Sequence, residues 1–172
     1  MTRSENGAVL EIDDVTVGYR QAGTRREAVR HVSLDIPPGQ TCGLVGESGS
    51  GKTTLALATM GYLPEEGAVC EGEIRFRGRD LLGLKDAEMR KIWGSDIAMV
   101  PQDALASLNP SVKLGEQVAE ILRHQGGLSS SEARERTMDL FERVQLGDPE
   151  RVRQSYPHQL SGGMLQRVLT AM

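Results

Sequence analysis

Gly46-Glu47-Ser48-Gly49-Ser50-Gly51-Lys52-Thr53 is the stretch on which the reading of this chain turns, because it fits the pattern G-x-x-x-x-G-K-S/T. Each residue type in it has a chemical reason. Gly46, Gly49 and Gly51 let the backbone turn tightly, so that consecutive N–H groups point inward at phosphate oxygens. Ser48 and Ser50 belong to the same cradle. A helix opening at Lys52 adds the positive end of its dipole. Lys52 supplies a mobile point charge for β- and γ-phosphates, and Thr53 a hydroxyl for Mg²⁺. Thr54 stands where a further hydroxyl would lie near the α-phosphate. The pattern therefore implies a nucleoside triphosphate, ATP, with Mg²⁺. The chain holds 20 glycines, so a chance match is the competing explanation. The context weighs against chance: an apolar run precedes the loop and a helical pattern follows it.

Thr41–Val45 is that apolar run, short enough to predict a buried strand feeding the loop. On the other side, the spacing of Leu55, Ala58 and Thr59 predicts a helix over Lys52–Tyr62, closed by Gly61 and Pro64. Further upstream, Val15, Val17 and Tyr19 alternate with Thr16 and Gly18, the period of a half-buried strand. Val32, Leu34 and Ile36 do the same within a strand predicted over Ala28–Ile36, and Pro37-Pro38-Gly39 forces a turn. Downstream, Glu73–Arg77 alternates with Ile74 and Phe76 on one face. Ile97–Val100 predicts another short buried strand, ended by Pro101. Beyond it the period changes. Leu114, Val118, Ile121 and Leu122 share a helical stripe. Ser129 and Glu132 form a capping box for a helix that turns Ala133, Thr137, Leu140, Phe141 and Val144 inward. Strands thus dominate up to about Val100, and helices dominate after it.

The totals narrow the function classes. A chain of 172 residues suits one domain, and 38% apolar with 26% charged residues suits a globular core. Aromatics are 3%, so that core rests on Leu, Val, Ile, Ala and Met. Twenty Lys+Arg against 24 Asp+Glu give a net charge of −4, which argues against a nucleic-acid partner. Cys42 and Cys70 match neither a metal pair nor a disulfide framework, and both are expected as buried, reduced thiols. No run reaches the roughly 18 apolar residues of a membrane-spanning helix. Met1–Gly7 lacks the apolar segment of a signal peptide. The chain is expected in the cytoplasm, with membrane association only through a partner.

Two further segments carry a resemblance. Leu160-Ser161-Gly162-Gly163-Met164-Leu165-Gln166-Arg167 resembles the signature sequence of ABC ATPases, with Met164 where glutamine is commonest. Physically it is a second anion site, in which Ser161 caps a helix while Gly162 and Gly163 bare their N–H groups. Met99-Val100-Pro101-Gln102-Asp103 looks like the family's Q-loop. The order of the three motifs identifies the chain as similar to ABC ATPases over essentially its whole length. The resemblance implies an α/β fold, a P-loop NTPase core with an antiparallel β subdomain and a helical subdomain at about 104–160, all within one ABC ATPase domain spanning 1–172.

It also implies roles. Gln102 would sense Mg²⁺ and the attacking water while touching a membrane partner, against the plainer reading of a solvated loop residue. Lys52 and Gln102 would be the catalytic side chains. Tyr19 would stack on adenine, against the plainer reading of a strand tyrosine packed on the core. Ser161, Gly162 and Gly163 would meet the γ-phosphate held by a second ATP-binding subunit, in a homo- or heterodimer. His158 is expected to be structural, and His31 and His124 ordinary surface residues. Gly78-Arg79-Asp80-Leu81-Leu82, Ser107-Leu108-Asn109-Pro110 and Tyr156-Pro157-His158-Gln159-Leu160 look like the ATP-binding subunits of oligopeptide, dipeptide and nickel permeases. One departure is Ala104, where that group has proline, which is expected to loosen the turn.

In the family an apolar strand ending in aspartate and glutamate follows the signature helix, and a histidine comes later. No such run occurs in these 172 residues, so the sequence reads as truncated, with the C-terminal part of the core absent. The expectation is a chain that binds MgATP yet hydrolyses it negligibly and is poorly soluble. Three functions compete. The first is the ATP-binding subunit of an importer, peripheral on the cytoplasmic face of the membrane and joined to membrane-spanning permease subunits. The second is a soluble ABC ATPase acting on DNA, which the compact gap between Thr53 and Ser161 disfavours. The third is a non-enzymatic ATP binder.

Overall fold

The computed structural model describes residues 7–21 and 23–172. They form two compact units that divide between Ala98 and Met99.

The first unit is built on a four-stranded antiparallel sheet in the order β2-β1-β3-β4. Its strands are β1 (Leu10–Gln21), β2 (Thr24–Ile36), β3 (Gly67–Phe76) and β4 (Arg79–Asp80). β1 runs down the middle, with Tyr19 opposite Arg26 on β2 and opposite Gly67 on β3. The strands begin earlier than their alternation predicts, because cross-strand hydrogen bonds extend through the charged hairpin Arg20–Arg26. Alternation also breaks within β1. The register slips between Ile12 and Val17, and Val15, Thr16 and Val17 are all buried. The polar member of that trio is satisfied: the His31 N–H donates to Thr16 Oγ1 at 3.1 Å. His31 itself is exposed and its Nδ1 lies 3.0 Å from an Asp14 carboxylate oxygen, so it is a surface residue with a hydrogen-bond partner.

Helix α1 (Lys52–Thr59) places Leu55 and Ala58 in the core formed with Ile12, Val15, Val17, Val29 and Ile74. It ends a turn before the predicted Tyr62, where Gly61 takes φ 61° and donates its N–H to the Ala58 carbonyl at 3.0 Å. Helix α2 (Asp86–Ile92) adds Met89 and Ile92 to the same core. After it, the Trp93 indole N–H donates to the Met60 carbonyl at 2.8 Å, and its ring meets Tyr62 edge to face.

Two expectations fail here. Thr41–Val45 is not a strand; it is extended chain with every residue exposed, Val45 at 94%. Ile97–Val100 pairs at a single point, a parallel bridge between Trp93 and Ile97, and Met99 and Val100 are exposed. The reason is physical. A buried parallel strand requires pairing partners beside it and helices over both faces, and neither run has them among the described residues. Cys42 goes with the first run and is exposed, while Cys70 on β3 is half-buried, so the expectation of two buried thiols is corrected.

The second unit is helical: α3 (Leu114–Gly126), α4 (Ser130–Arg143), α5 (Pro149–Gln154) and α6 (Gly162–Ala171), with one 3₁₀ turn at Pro157–Gln159. Its core gathers Leu114 and Val118 from α3, Phe141 from α4, Val152 from α5, and Leu165, Val168 and Ala171 from α6. The stripe and the capping box read from the sequence are both present. The Ser129 hydroxyl donates to Glu132 Oε2 at 2.5 Å and the Ser129 N–H donates to it at 2.9 Å, and these bonds hold the Glu132 carboxyl below its usual range. Arg153 likewise pulls the exposed Glu150 carboxyl down to about 2 through paired hydrogen bonds. Buried Gln117 ties the Asn109–Val112 turn to α3: its Oε1 accepts from the Asn109 N–H at 2.9 Å. Its Nε2 donates to the Asn109 and Val112 carbonyls at 3.0 and 2.9 Å.

Among the described residues no helix is long and apolar enough to cross a membrane.

Candidate functional site

The glycine loop leads straight into α1, and Gly51 is the cap. It sits at φ 89°, a left-handed conformation that side chains rarely adopt, and its carbonyl accepts the Leu55 N–H at 2.9 Å. Space requires glycine as firmly as conformation does. A Cβ on Gly51 would stand 2.5 Å from the Ala28 carbonyl oxygen. Gly49 is also left-handed, at φ 80°, and a Cβ on Gly46 would lie 2.8 Å from Ser50 Oγ. At Gly51 a side chain would thus meet the β2 backbone, and at Gly46 it would meet the Ser50 hydroxyl inside the loop.

Lys52 folds back over this loop. Its ammonium donates to the Gly46 carbonyl at 2.9 Å, the Glu47 carbonyl at 2.6 Å and Ser50 Oγ at 3.3 Å. The Ser50 N–H donates to the Glu47 carbonyl at 3.2 Å, closing a turn around Ser48 and Gly49. A positive charge ringed by loop oxygens, above the N-terminus of a helix, is an arrangement for polyanionic oxygens. Thr53 is exposed on the first turn and Thr54 half-buried beside it. A hydroxyl on the first turn beside a phosphate hollow is the donor that Mg²⁺ takes together with phosphate oxygens. These residues fit the metal and nucleotide that the pattern implies.

Tyr19 comes to the same place from β1. Its hydroxyl donates to Thr54 Oγ1 at 3.3 Å, so the ring is tied to α1 one turn from the loop. Tyr19, Gly46, Ser48, Gly49, Ser50, Gly51, Lys52, Thr53 and Thr54 therefore assemble within the first unit.

The remaining site residues assemble in the second unit. Ser161 caps α6, its Oγ accepting the Met164 N–H at 3.4 Å. Gly162 and Gly163 open that helix, and nothing lies within 4 Å of where a Cβ on either would stand. Gln102 is exposed, and its backbone is anchored to the same helix. Gln166 Nε2 donates to the Gln102 carbonyl at 2.7 Å and to the Pro101 carbonyl at 3.1 Å. Gln102, Leu105, Pro157, His158 and Gly162 line one groove of about 680 Å³. Ala104, standing where the family has proline, is buried, and Asp103 Oδ1 closes the turn by accepting the Ala106 N–H at 3.1 Å. His158 is exposed and stacks on Tyr156 at 5.8 Å.

Sequence reading misses Gln166 and Arg167 as supports. Arg167 donates to the Val144 and Gln145 carbonyls at 3.3 and 2.6 Å, covering the end of α4. Both lie inside the signature stretch, but their partners are distant in sequence and no spacing points to them. Gly67 is missed as well, although a glycine opening a strand is a mark of close approach.

Comparison with known proteins agrees with these motifs. A family model described as ABC transporter matches residues 29–172. The dipeptide transport ATP-binding protein DppD of Lactococcus lactis is 41% identical over 165 residues, 95% of this chain and 47% of the relative. The oligopeptide transport ATP-binding protein OppD of Bacillus subtilis is 39% identical over 95% of this chain and 46% of its own. The chain thus spans about half the length of the curated relatives it matches. Among solved structures, the dimeric ATP-binding cassette MJ0796 in a post-hydrolysis state with ADP and Pi bound superposes with a TM-score of 0.77. It is 28% identical over 94% of this chain and 67% of that one. A glycine-capped phosphate hollow, a serine-capped signature helix, and a family match running from β2 to the last residue have one common source: the chain belongs to the ABC transporter family and carries the α/β fold of its ATPase cassette.

Proposed function

We propose that this chain binds MgATP through the Gly46–Thr53 loop and serves as the ATP-binding part of a peptide importer. The observation that carries the reading is the Lys52 ammonium poised among loop oxygens at the start of α1. In it, Lys52 neutralises the β- and γ-phosphates, backbone N–H groups of the loop receive their oxygens, and Thr54 lies near the α-phosphate. Thr53 would hold Mg²⁺, which would supply positive charge against the charge on the phosphates. Tyr19 carries the adenine ring. Gln102 is the residue that senses the metal and attacking water, and Ser161, Gly162 and Gly163 offer a second anion site to nucleotide held by another subunit.

Peptides as cargo are supported by the names of the relatives, which are dipeptide and oligopeptide transport proteins. Nickel rests on the sequence resemblance alone. The dimeric cassette neighbour supports pairing with a second ATP-binding subunit. Membrane-spanning permease subunits would meet the helical part at about 104–160 and hold the chain at the cytoplasmic face. The acidic pair that the family places after an apolar strand is not among these 172 residues. By themselves they therefore bind MgATP and turn it over very slowly, since positioning and charge supply most of phosphoryl-transfer catalysis.

Titration calorimetry with MgATP tests this. Lys52→Ala should weaken binding at least about tenfold, the effect of losing one well-placed charge contact. Equal heats from the two proteins would remove the phosphate site, and steady turnover abolished by Lys52→Ala would remove the claim of slow hydrolysis.

A further inference from the structure

We propose that Gly67, at the start of β3, is a positioning residue for nucleotide-base recognition, acting by leaving room for the Tyr19 ring. The proposal rests on the reading of Tyr19 as the adenine contact and extends it to a residue that would not touch the nucleotide.

Gly67 faces Tyr19 directly across the β1–β3 ladder. Directly opposed residues in an antiparallel pair project to the same face, so whatever stands at 67 competes with the ring for space. The competition is severe. A Cβ on Gly67 would lie 2.8 Å from Tyr19 Cε1 and 3.2 Å from Cδ1, with the Pro64 carbonyl oxygen 3.2 Å away on another side. The backbone has little freedom to yield, because the Gly67 N–H donates to the Pro64 carbonyl at 2.7 Å and the Arg20 N–H to the Glu66 carbonyl at 2.8 Å. Conformation does not explain the glycine: Gly61 and Gly72 on either side of it take positive φ, and Gly67 does not. Room for the ring is what remains.

The ring that occupies this room is held at two ends. Its edge lies on the β3 backbone, and its hydroxyl reaches Thr54 Oγ1 at 3.3 Å on α1. That bond is already long. Moving Cε1 from 2.8 Å to an ordinary contact with a new methyl group would swing the ring and part the hydroxyl from Thr54. The angle that Tyr19 presents to a base beside the phosphate hollow would change, while the hollow itself would not.

The test compares binding of MgATP, MgGTP and inorganic tripolyphosphate to the 172-residue chain and its Gly67→Ala, Tyr19→Ala, Gly67→Ala/Tyr19→Ala and Lys52→Ala variants. Gly67→Ala should weaken MgATP and MgGTP alike, about five- to tenfold, the scale of one aromatic–base stack, since every base offers a face to the ring. Tripolyphosphate should bind as to the unaltered protein. In the Tyr19→Ala background the second substitution should add nothing, since the ring it displaces is gone. Unchanged MgATP affinity in Gly67→Ala, while Lys52→Ala loses it, overturns the proposal and leaves the phosphate site standing. Parallel loss of ATP and tripolyphosphate, or a further loss on top of Tyr19→Ala, also overturns it, by making Gly67 a folding residue. If Lys52→Ala binds all three ligands normally, the site reading falls and this inference falls with it.

Discussion

Gly51 and Gly39 are both left-handed, at φ 89° and 70°, yet the two positions ask different things of a side chain. At Gly39 nothing lies within 4 Å of where a methyl group would stand, so alanine there meets only the backbone penalty of about 1–2 kcal/mol. At Gly51 the same penalty is joined by a carbonyl oxygen at 2.5 Å and Val29 Cγ2 at 3.0 Å. Gly51→Ala should therefore destabilise the chain by about 2–4 kcal/mol, the strain and the overpacking together. Urea unfolding of the two variants checks it, and equal midpoints would show that the cap has more room than its contacts indicate. The glycine–lysine pattern is legible in sequence because it is local. The contact of Gly51 with Ala28 is not, since 23 residues separate them and no period links strand β2 to the loop.

At the scale of elements, α3 and α5 touch through a residue without a side chain. A Cβ on Gly115 would collide with Arg153 Cγ and lie 2.8 Å from the Arg153 carbonyl oxygen. Gly115→Ala should force the two helices apart at a loss of about 1–3 kcal/mol, despite alanine's better helix propensity. A gain in thermal stability would mean the arginine stem simply moves aside. The helices themselves are readable: Ser129 and Glu132 announce α4 by chemistry contained in four residues, and the stripe of α3 repeats at one period. The antiparallel strands are readable for the same reason, although bulges blur their ends. Thr41–Val45 and Ile97–Val100 are not. An apolar run without a period carries no information about its neighbours, and a strand exists only once a neighbour supplies its hydrogen bonds. The supports Gln166 and Arg167 escape reading for a kindred reason, because each bonds carbonyls more than 20 residues away.

For the whole molecule, the unpaired run before the phosphate loop has a solution consequence. Leu44 and Val45 are 47% and 94% exposed on a stretch of backbone that makes no ladder with the described residues, a template for contact with other chains. Self-association that rises with concentration is the expected behaviour, and Val45→Asp should shift the sedimentation profile toward the single chain. A monomer at all concentrations in both proteins would count against it. Elsewhere the molecule carries a device of another kind. Trp93 is the only tryptophan, and its indole is fastened to the last turn beyond α1, the helix whose first turn carries Lys52. The helix that opens at the phosphate loop thus closes beside a single indole, whose emission can be excited apart from that of the three tyrosines.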